Sequence, residues 1–384
     1  MNAYLRKLEA LARAWKQYPA IDETVRPLHS KLDRRNIFKI RTDRYVEKFN
    51  LRVYRTAVDL KVICSTSSNA EAQIGVCYGR NGNNLPSPQA VVNLYKSRGI
   101  ARMRLYDPNQ NALQALRGSG IGLILDVPRT SLRSLGSNPA AAAQWVQTNV
   151  APYASNVNFR YIAVGNEIHE SDPEAGSVLP AMQNVQTALR AANLNQIKVS
   201  TAIDTTLITN SFPPSNGVFT SQSYVNPIIN FLKNNNSPLL VNIYPYFAYV
   251  NNPQSISLNY ALFTAPGTVV TDSNNGLQYQ NLFDALTDAV YAALARAGAP
   301  NTAIVVSESG WPSAGGNAAS VQNAGTYYRN LINHAKQGTP RKPGRIEVYL
   351  FEMFDENQKP AGIEQNFGLF TPNQQPKYQL NFNN

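Results

Sequence analysis

Ile304-Val-Val-Ser-Glu-Ser-Gly-Trp-Pro312 is the stretch on which the reading of this chain turns. Three consecutive apolar, β-branched residues predict a strand buried on both faces. Glu308 stands at its end, and Ser309-Gly310-Trp311-Pro312 turns the chain away. A carboxylate where a buried strand opens into a turn is costly unless it is paired or used. The segment Phe159-Arg-Tyr-Ile-Ala-Val-Gly-Asn-Glu167 repeats the design, an apolar strand closed by a glutamate, here with Asn166 before it. A fold that gathers the ends of buried strands in one place would bring the two carboxylates together.

Working outward, apolar runs recur at Ile74–Tyr78, Ala101–Tyr106, Ile121–Val127, Phe159–Val164, Ile197–Ala202, Leu239–Tyr244, Ala303–Ser307 and Arg345–Phe354. Helix-compatible segments lie between them, at Pro88–Ser97, Asn109–Arg117, Asn138–Val150, Val178–Ala192, Tyr224–Lys233, Asn281–Ala297 and Ala319–Lys336. Asn138 followed by Pro139 is a cap with a proline in the first turn. Strands alternating with helices in this way predict a single (β/α)8 TIM barrel, class α/β, over residues 73–384. A doubly wound open sheet is the rival, but Tyr78-Gly-Arg-Asn-Gly82 after the first strand lacks the dinucleotide fingerprint.

The chain has 384 residues, 43% of them hydrophobic and 10% aromatic, enough for one large core. No run of about 18 apolar residues occurs, so no spanning helix or membrane anchor is expected. The net charge of +11 raises the question of nucleic acid. Residues 1–72, however, hold 15 Lys and Arg against 8 Asp and Glu, so most of the excess sits there. That extension is dense in charge, short of bulky aliphatics and expected to be poorly ordered, apart from a short helix near Leu5–Trp15. Ala70-Glu-Ala72 fits a signal-peptidase site, yet Ala57–Ile63 before it is short and doubly charged against the apolar run such signals carry. Cys64 and Cys77 are expected to stay free, and His29, His169 and His334 lack metal-ligand spacing. His169 could line a site or be an ordinary loop histidine.

In a barrel of this kind the active site lies at the C-terminal ends of the strands. Those ends read Tyr78, Tyr106-Asp107, Asp126, Asn166-Glu167, Tyr244-Pro-Tyr246, Glu308 and Phe354-Asp-Glu356. Aromatic rings stack on sugar faces, while amide, carboxylate and phenol groups bond sugar rims. Lys and Arg are missing from these ends, against a phosphate or nucleic-acid partner. Glu167 and Glu308, on the fourth and seventh strands, suit glycoside hydrolysis, in which one carboxyl protonates the leaving oxygen and the other attacks the anomeric carbon. The bland alternative makes each a structural, salt-bridged carboxylate. Carboxylates alone supply acid, base and nucleophile, so no cofactor and no metal is implied.

The motifs Ile74-Gly-Val-Cys-Tyr-Gly79, Met103-Arg-Leu-Tyr-Asp-Pro108, Tyr161-Ile-Ala-Val-Gly-Asn-Glu167, Val199-Ser-Thr-Ala202, Asn242-Ile-Tyr-Pro-Tyr-Phe247, Val306-Ser-Glu-Ser-Gly-Trp-Pro312, Phe354-Asp-Glu-Asn-Gln-Lys359 and Asn366-Phe-Gly-Leu-Phe370 together resemble the plant glucan endo-1,3-β-glucosidases of glycoside hydrolase family 17. They cover residues 73–382 in order. The resemblance implies a retaining endo-hydrolase of β-1,3-glucan, with Glu167 as acid/base and Glu308 as nucleophile. Mixed β-1,3;1,4-glucan is the close alternative substrate, and a non-catalytic glucan-binding barrel the distant one. Glu356, Lys359 and Glu364 correspond to a charged cluster at the family's cleft; Tyr106, Asn166, Tyr244, Tyr246, Trp311 and Phe354 complete the expected substrate contacts. Trp311 is expected as a stacking platform, with core packing as its competitor. Glu352, inside the eighth strand, is a further polar barrel residue without an assigned role. The resemblance also implies a monomer, secreted to the apoplast or held in the vacuole, although the charged extension replaces the family's hydrophobic signal.

Overall fold

The computed structural model describes residues 74–382, so the expectations for residues 1–72, and for Cys64, lie outside the described residues. Eight parallel strands close into a barrel in which each pairs with its sequence neighbour and the eighth returns to the first. They are β1 Ile74–Tyr78, β2 Arg102–Leu105, β3 Gly122–Val127, β4 Asn158–Asn166, β5 Lys198–Asp204, β6 Leu239–Asn242, β7 Ile304–Ser309 and β8 Val348–Leu350. The connections carry α1 Pro88–Arg98, α2 Gln110–Leu116, α3 Leu132–Ser137, α4 Pro139–Asn149, α5 Ala175–Ala191 and α6 Gln222–Asn234. After β6 come α7 Pro245–Asn251, α8 Leu258–Ala261 and α9 Leu282–Arg296, and α10 Val321–His334 follows β7. This is the expected (β/α)8 barrel.

Period-2 alternation divides each strand between two cores. Ile304 and Val306 of β7 face the helices in the larger cluster, while Val305 points into the barrel. Inside, Val305 meets Cys77, Ile124, Ala163, Ala202, Leu240 and Tyr349, one from each strand except β2. Cys77 is a free, buried thiol in this layer. On β2 the apolar Met103 and Leu105 belong to the outer cluster and the buried Arg104 lies between them in sequence. The helices begin where the sequence places caps: Asn138 Oδ1 accepts the Ala140 N–H at 2.9 Å, and Asn281 Oδ1 accepts the Asp284 N–H at 2.8 Å.

Three features depart from the expectation. The eighth strand is far shorter than residues 345–354, because its continuation bonds the C-terminal segment instead. Leu369 N donates to Glu352 O at 2.8 Å and Phe370 N to Met353 O at 3.0 Å. Short helices α3, α7 and α8, and two antiparallel ribbons at Ile208–Thr209 with Val218–Phe219 and at Val270–Thr271 with Gln278–Tyr279, fill loops that show no clear period. The third lies in β7, where the pairing register slips between Val306 and Glu308 against β6. Strict alternation would aim Ser307 inward and Glu308 at the helices. The slip turns Glu308 back toward the barrel mouth, as bulges beside active sites commonly do.

Candidate active site

Arg104 is the hub of the mouth. Its side chain is wholly buried and reaches four elements. Nη2 meets Asp126 Oδ2 at 2.7 Å, with Nε adding a second bond to Oδ1, and donates to Asn166 Oδ1 at 2.8 Å. Nη1 donates to Glu308 Oε1 at 2.9 Å and to Asn242 Oδ1 at 3.2 Å. Taking this guanidinium from two buried carboxylates would cost about 3–5 kcal/mol, so it fixes the geometry of everything it touches. Burial alone would lower its pKa, and the neighbouring Asp126 carboxylate, with Tyr106 and Glu308, more than offsets that and holds it above the usual guanidinium range. The expectation that cationic side chains are missing from the strand ends is thus corrected. Arg104 stands one residue before the end of β2, and its charge is spent on the barrel's own carboxylates.

Glu308 is 6% exposed and holds three donors. Oε1 accepts from Arg104 and, at 2.7 Å, from the Tyr106 hydroxyl; Oε2 accepts from the Tyr244 hydroxyl at 2.7 Å. One positive charge and two phenols therefore orient both carboxylate oxygens. Glu167, the residue after β4, is in a different setting. Its φ of 52° lies in the left-handed region uncommon for side chains other than glycine, where strain marks functional positions. Its Oε1 accepts from Asn242 Nδ2 at 2.8 Å, and Asn242 also bonds Asn166 Oδ1 at 3.0 Å. Burial raises the Glu167 carboxyl to about 7, and the Glu308 charge pushes the same way while Asn242 opposes it. Two carboxyl groups thus sit in one network, one dressed with donors and the other nudged toward its acid form.

These groups lie in an open cleft of about 810 Å³. Tyr106, Asn166, Tyr244, Glu356, Lys359 and Glu364 line it, as expected, together with Asn242, Phe247, Phe351 and Phe367. The last four and Arg104 were not singled out from sequence. Phe351 stands edge-on to Tyr106 and Tyr244, with centroids 6.5 and 6.0 Å away, and makes an aromatic wall. The lining also takes in Arg80 and Asn81 after β1, Asp204, Thr205 and Thr206 at the end of β5, and Asn251 of α7.

Three expected contacts are not in the cleft lining. Trp311 is fully buried, its indole N–H bonded to Ala318 O at 3.0 Å and its ring 5.0 Å from that of Tyr246. Tyr246 is 2% exposed, and its hydroxyl donates to Asn317 O. Phe354 is 1% exposed and packs edge-on against Tyr78. All three are core aromatics rather than sugar platforms. His169 is also outside the lining and binds Asp204 Oδ2 at 2.8 Å. Among the described residues no His, Cys, Asp and Glu group has a metal-binding arrangement.

A parallel eight-stranded barrel with two glutamates in unlike environments in an aromatic-walled cleft is the arrangement of a glycosidase. Comparison with known proteins narrows this: the profile of "Glycosyl hydrolases family 17" matches residues 74–382, and the chain belongs to that family. It is 62% identical over 329 residues to a glucan endo-1,3-beta-glucosidase of Vitis vinifera, covering 84% of this chain and 95% of that one. A basic vacuolar isoform of the same enzyme from Nicotiana tabacum is 54% identical over 337 residues, 85% of this chain and 90% of its own. Among solved structures, one reported with two plant beta-glucan endohydrolases of distinct substrate specificities superposes with a TM-score of 0.78 at 49% identity, over 80% of this chain and 99% of that one. A beta-1,3-glucanase and allergen of Cryptomeria japonica pollen gives 0.78 at 46%, over 81% and 99%.

Proposed function

We propose that this glycosidase is an endo-hydrolase of β-1,3-glucan that works by double displacement with retention. Glu308 is the nucleophile and Glu167 the acid/base. The observation that carries the role assignment is the contrast between the two carboxyls. Glu308 has both oxygens oriented by Arg104, Tyr106 and Tyr244, as an attacking anion requires. Glu167 is raised to about 7 by burial and by Glu308, as a proton donor requires. In the first step Glu167 gives its proton to the glycosidic oxygen while Glu308 bonds the anomeric carbon and the aglycone leaves. In the second, Glu167 takes a proton from water, which attacks the same carbon and frees Glu308. A cleft whose lining reaches from the loop after β1 to the segments after β5 and β6 supports cutting within a chain.

The β-1,3 linkage rests on the names of the relatives at 54–62% identity. Mixed β-1,3;1,4-glucan remains the second reading, because structurally similar endohydrolases differ in specificity. Reducing-sugar release from linear β-1,3-glucan and from mixed-linkage glucan decides between them. Rapid release of mixed oligomers from the linear polymer alone supports the first reading; preference for mixed-linkage glucan overturns it, and no release from either overturns both. The tobacco relative's vacuolar designation supports a destination in the secretory pathway, apoplast or vacuole.

The raised Glu167 carboxyl gives a pH dependence whose sign is fixed. The protonated form is the working acid of the first step, so kcat/KM, which reports the free enzyme, falls as pH rises through about 7 and that proton is lost. Measuring kcat/KM across that range on β-1,3-glucan tests this. Activity that rises through the same window contradicts the acid role.

A further inference from the structure

Glu352, two residues beyond β8, is 0% exposed, and nothing in the mechanism above uses it. Its Oε1 accepts from Lys359 Nζ at 2.8 Å, and its Oε2 is buried with no hydrogen-bond donor from the protein. Glu356, also buried, has its Oε2 2.7 Å from the same ammonium and its Oε1 bonded to the Asn81 N–H. The two Oε2 atoms converge over Gly79, where an added Cβ would stand 2.5 Å from each. Gly79 leaves that space open by having no side chain. Two buried carboxyls thus share one ammonium and turn one oxygen apiece to a single spot.

Two carboxylates so placed repel strongly, and one ammonium leaves the trio with an excess negative charge. A proton between the Oε2 atoms removes the repulsion and gives Glu352 Oε2 the partner it lacks. The other titratable groups that feel this charge are Cys77 and Tyr78 of β1, Tyr95 of α1, Tyr328 of α10 and Lys377. Lys377 is occupied by Asp355, at 2.7 and 2.8 Å. Burial, and then the hydrogen bond with Glu356, push Glu352 well above the usual carboxylate range. Burial pushes Glu356 the same way, and it is brought below that range by its hydrogen bond with Glu352 and by Lys359.

We propose that Glu352 is a positioning residue for the cleft: it remains a neutral acid, donates its proton to Glu356, and so holds Lys359 and the Asn81 loop in place for the glucan. Asn81, Glu356 and Lys359 line the cleft, and the Lys359 ammonium lies 4.4 Å from the centroid of Phe351 in its aromatic wall. The proton ties the end of β8 to the loop after β1, where Arg80 pairs with Asp107.

The test compares Glu352→Ala with Glu352→Gln, whose amide can accept from Lys359 and donate to Glu356 as the neutral acid does. Ala should raise KM for a soluble β-1,3-glucan about tenfold, the loss of one hydrogen bond to a charged group, with kcat changed less than about twofold. Gln should bring KM back to within about twofold of the parent value. A Gln variant as impaired as Ala overturns the proposal, because the charge is then what matters; so does an Ala variant with unchanged KM. Should Ala fail to fold, the carboxyl-carbon NMR spectrum of glutamate-labelled enzyme, compared with that of Glu352→Gln, decides. The signal lost in the variant should be that of a neutral acid near neutral pH, and a carboxylate signal overturns the proposal. The KM readout rests on the glucan-hydrolysing reading, whereas the NMR readout needs no substrate, so the failure of one is distinguishable from the failure of the other.

Discussion

Glu308→Gln leaves glucan binding nearly intact and lowers kcat by about 10⁴-fold or more, the scale of losing a covalent nucleophile. The substitution keeps the shape of the site. An amide oxygen still accepts from Arg104 and Tyr106, and the Tyr244 hydroxyl, which donates to the carboxylate, can turn to accept from the amide nitrogen. What is removed is the anion that bonds the anomeric carbon. Binding isotherms on β-1,3-glucan alongside single-turnover rates separate the two effects. Near-normal turnover would mean that Glu308 is a structural carboxylate paired with Arg104 and that the nucleophile lies elsewhere.

Glu167→Ala has the second largest effect, and its signature depends on the leaving group. On polysaccharide, where the departing oxygen needs a proton, the rate falls by about 10²–10⁴-fold, the range general acid catalysis supplies. On aryl glucosides with good leaving groups the first step survives, and hydrolysis of the glycosyl enzyme becomes the slow step. Azide, small and needing no base, should then restore turnover and yield the β-glycosyl azide. The vacancy left by the alanine adjoins Asn242, whose amide bonds Glu167 in the parent enzyme. An α-configured azide would mean direct displacement from the opposite face and would remove Glu308 from the nucleophile's role.

The barrel was legible because strands buried on both faces write themselves as apolar runs, and capping residues such as Asn138 and Asn281 mark where helices begin. Both glutamates stand at the ends of such runs, which is why they were found. Their orientation was not legible: the slip between Val306 and Glu308 depends on pairing with β6, and alternation alone aims Glu308 at the helices. Arg104 was hidden for a similar reason. Its partners Asp126, Asn166, Asn242 and Glu308 come from four other strands, and only closure of the barrel makes a buried guanidinium affordable. Aromatic residues misled in the opposite direction. Trp311, Tyr246 and Phe354 have the composition of sugar platforms, but each turns into the core, while Phe247, Phe351 and Phe367 form part of the cleft wall.

Double displacement requires a covalent glycosyl-enzyme intermediate on Glu308. In a 2-deoxy-2-fluoro glucan-oligosaccharide donor the fluorine slows both steps and a good leaving group speeds the first, so the glycosyl ester accumulates on incubation. Proteolysis and mass spectrometry of the trapped enzyme then locate the ester. One added glycosyl group is expected on the peptide containing Ile304–Pro312, with the fragment ions placing it on Glu308. An ester on Glu167 or Glu356, or an active enzyme that turns over the donor through an inverted product without ever forming an ester, would contradict it.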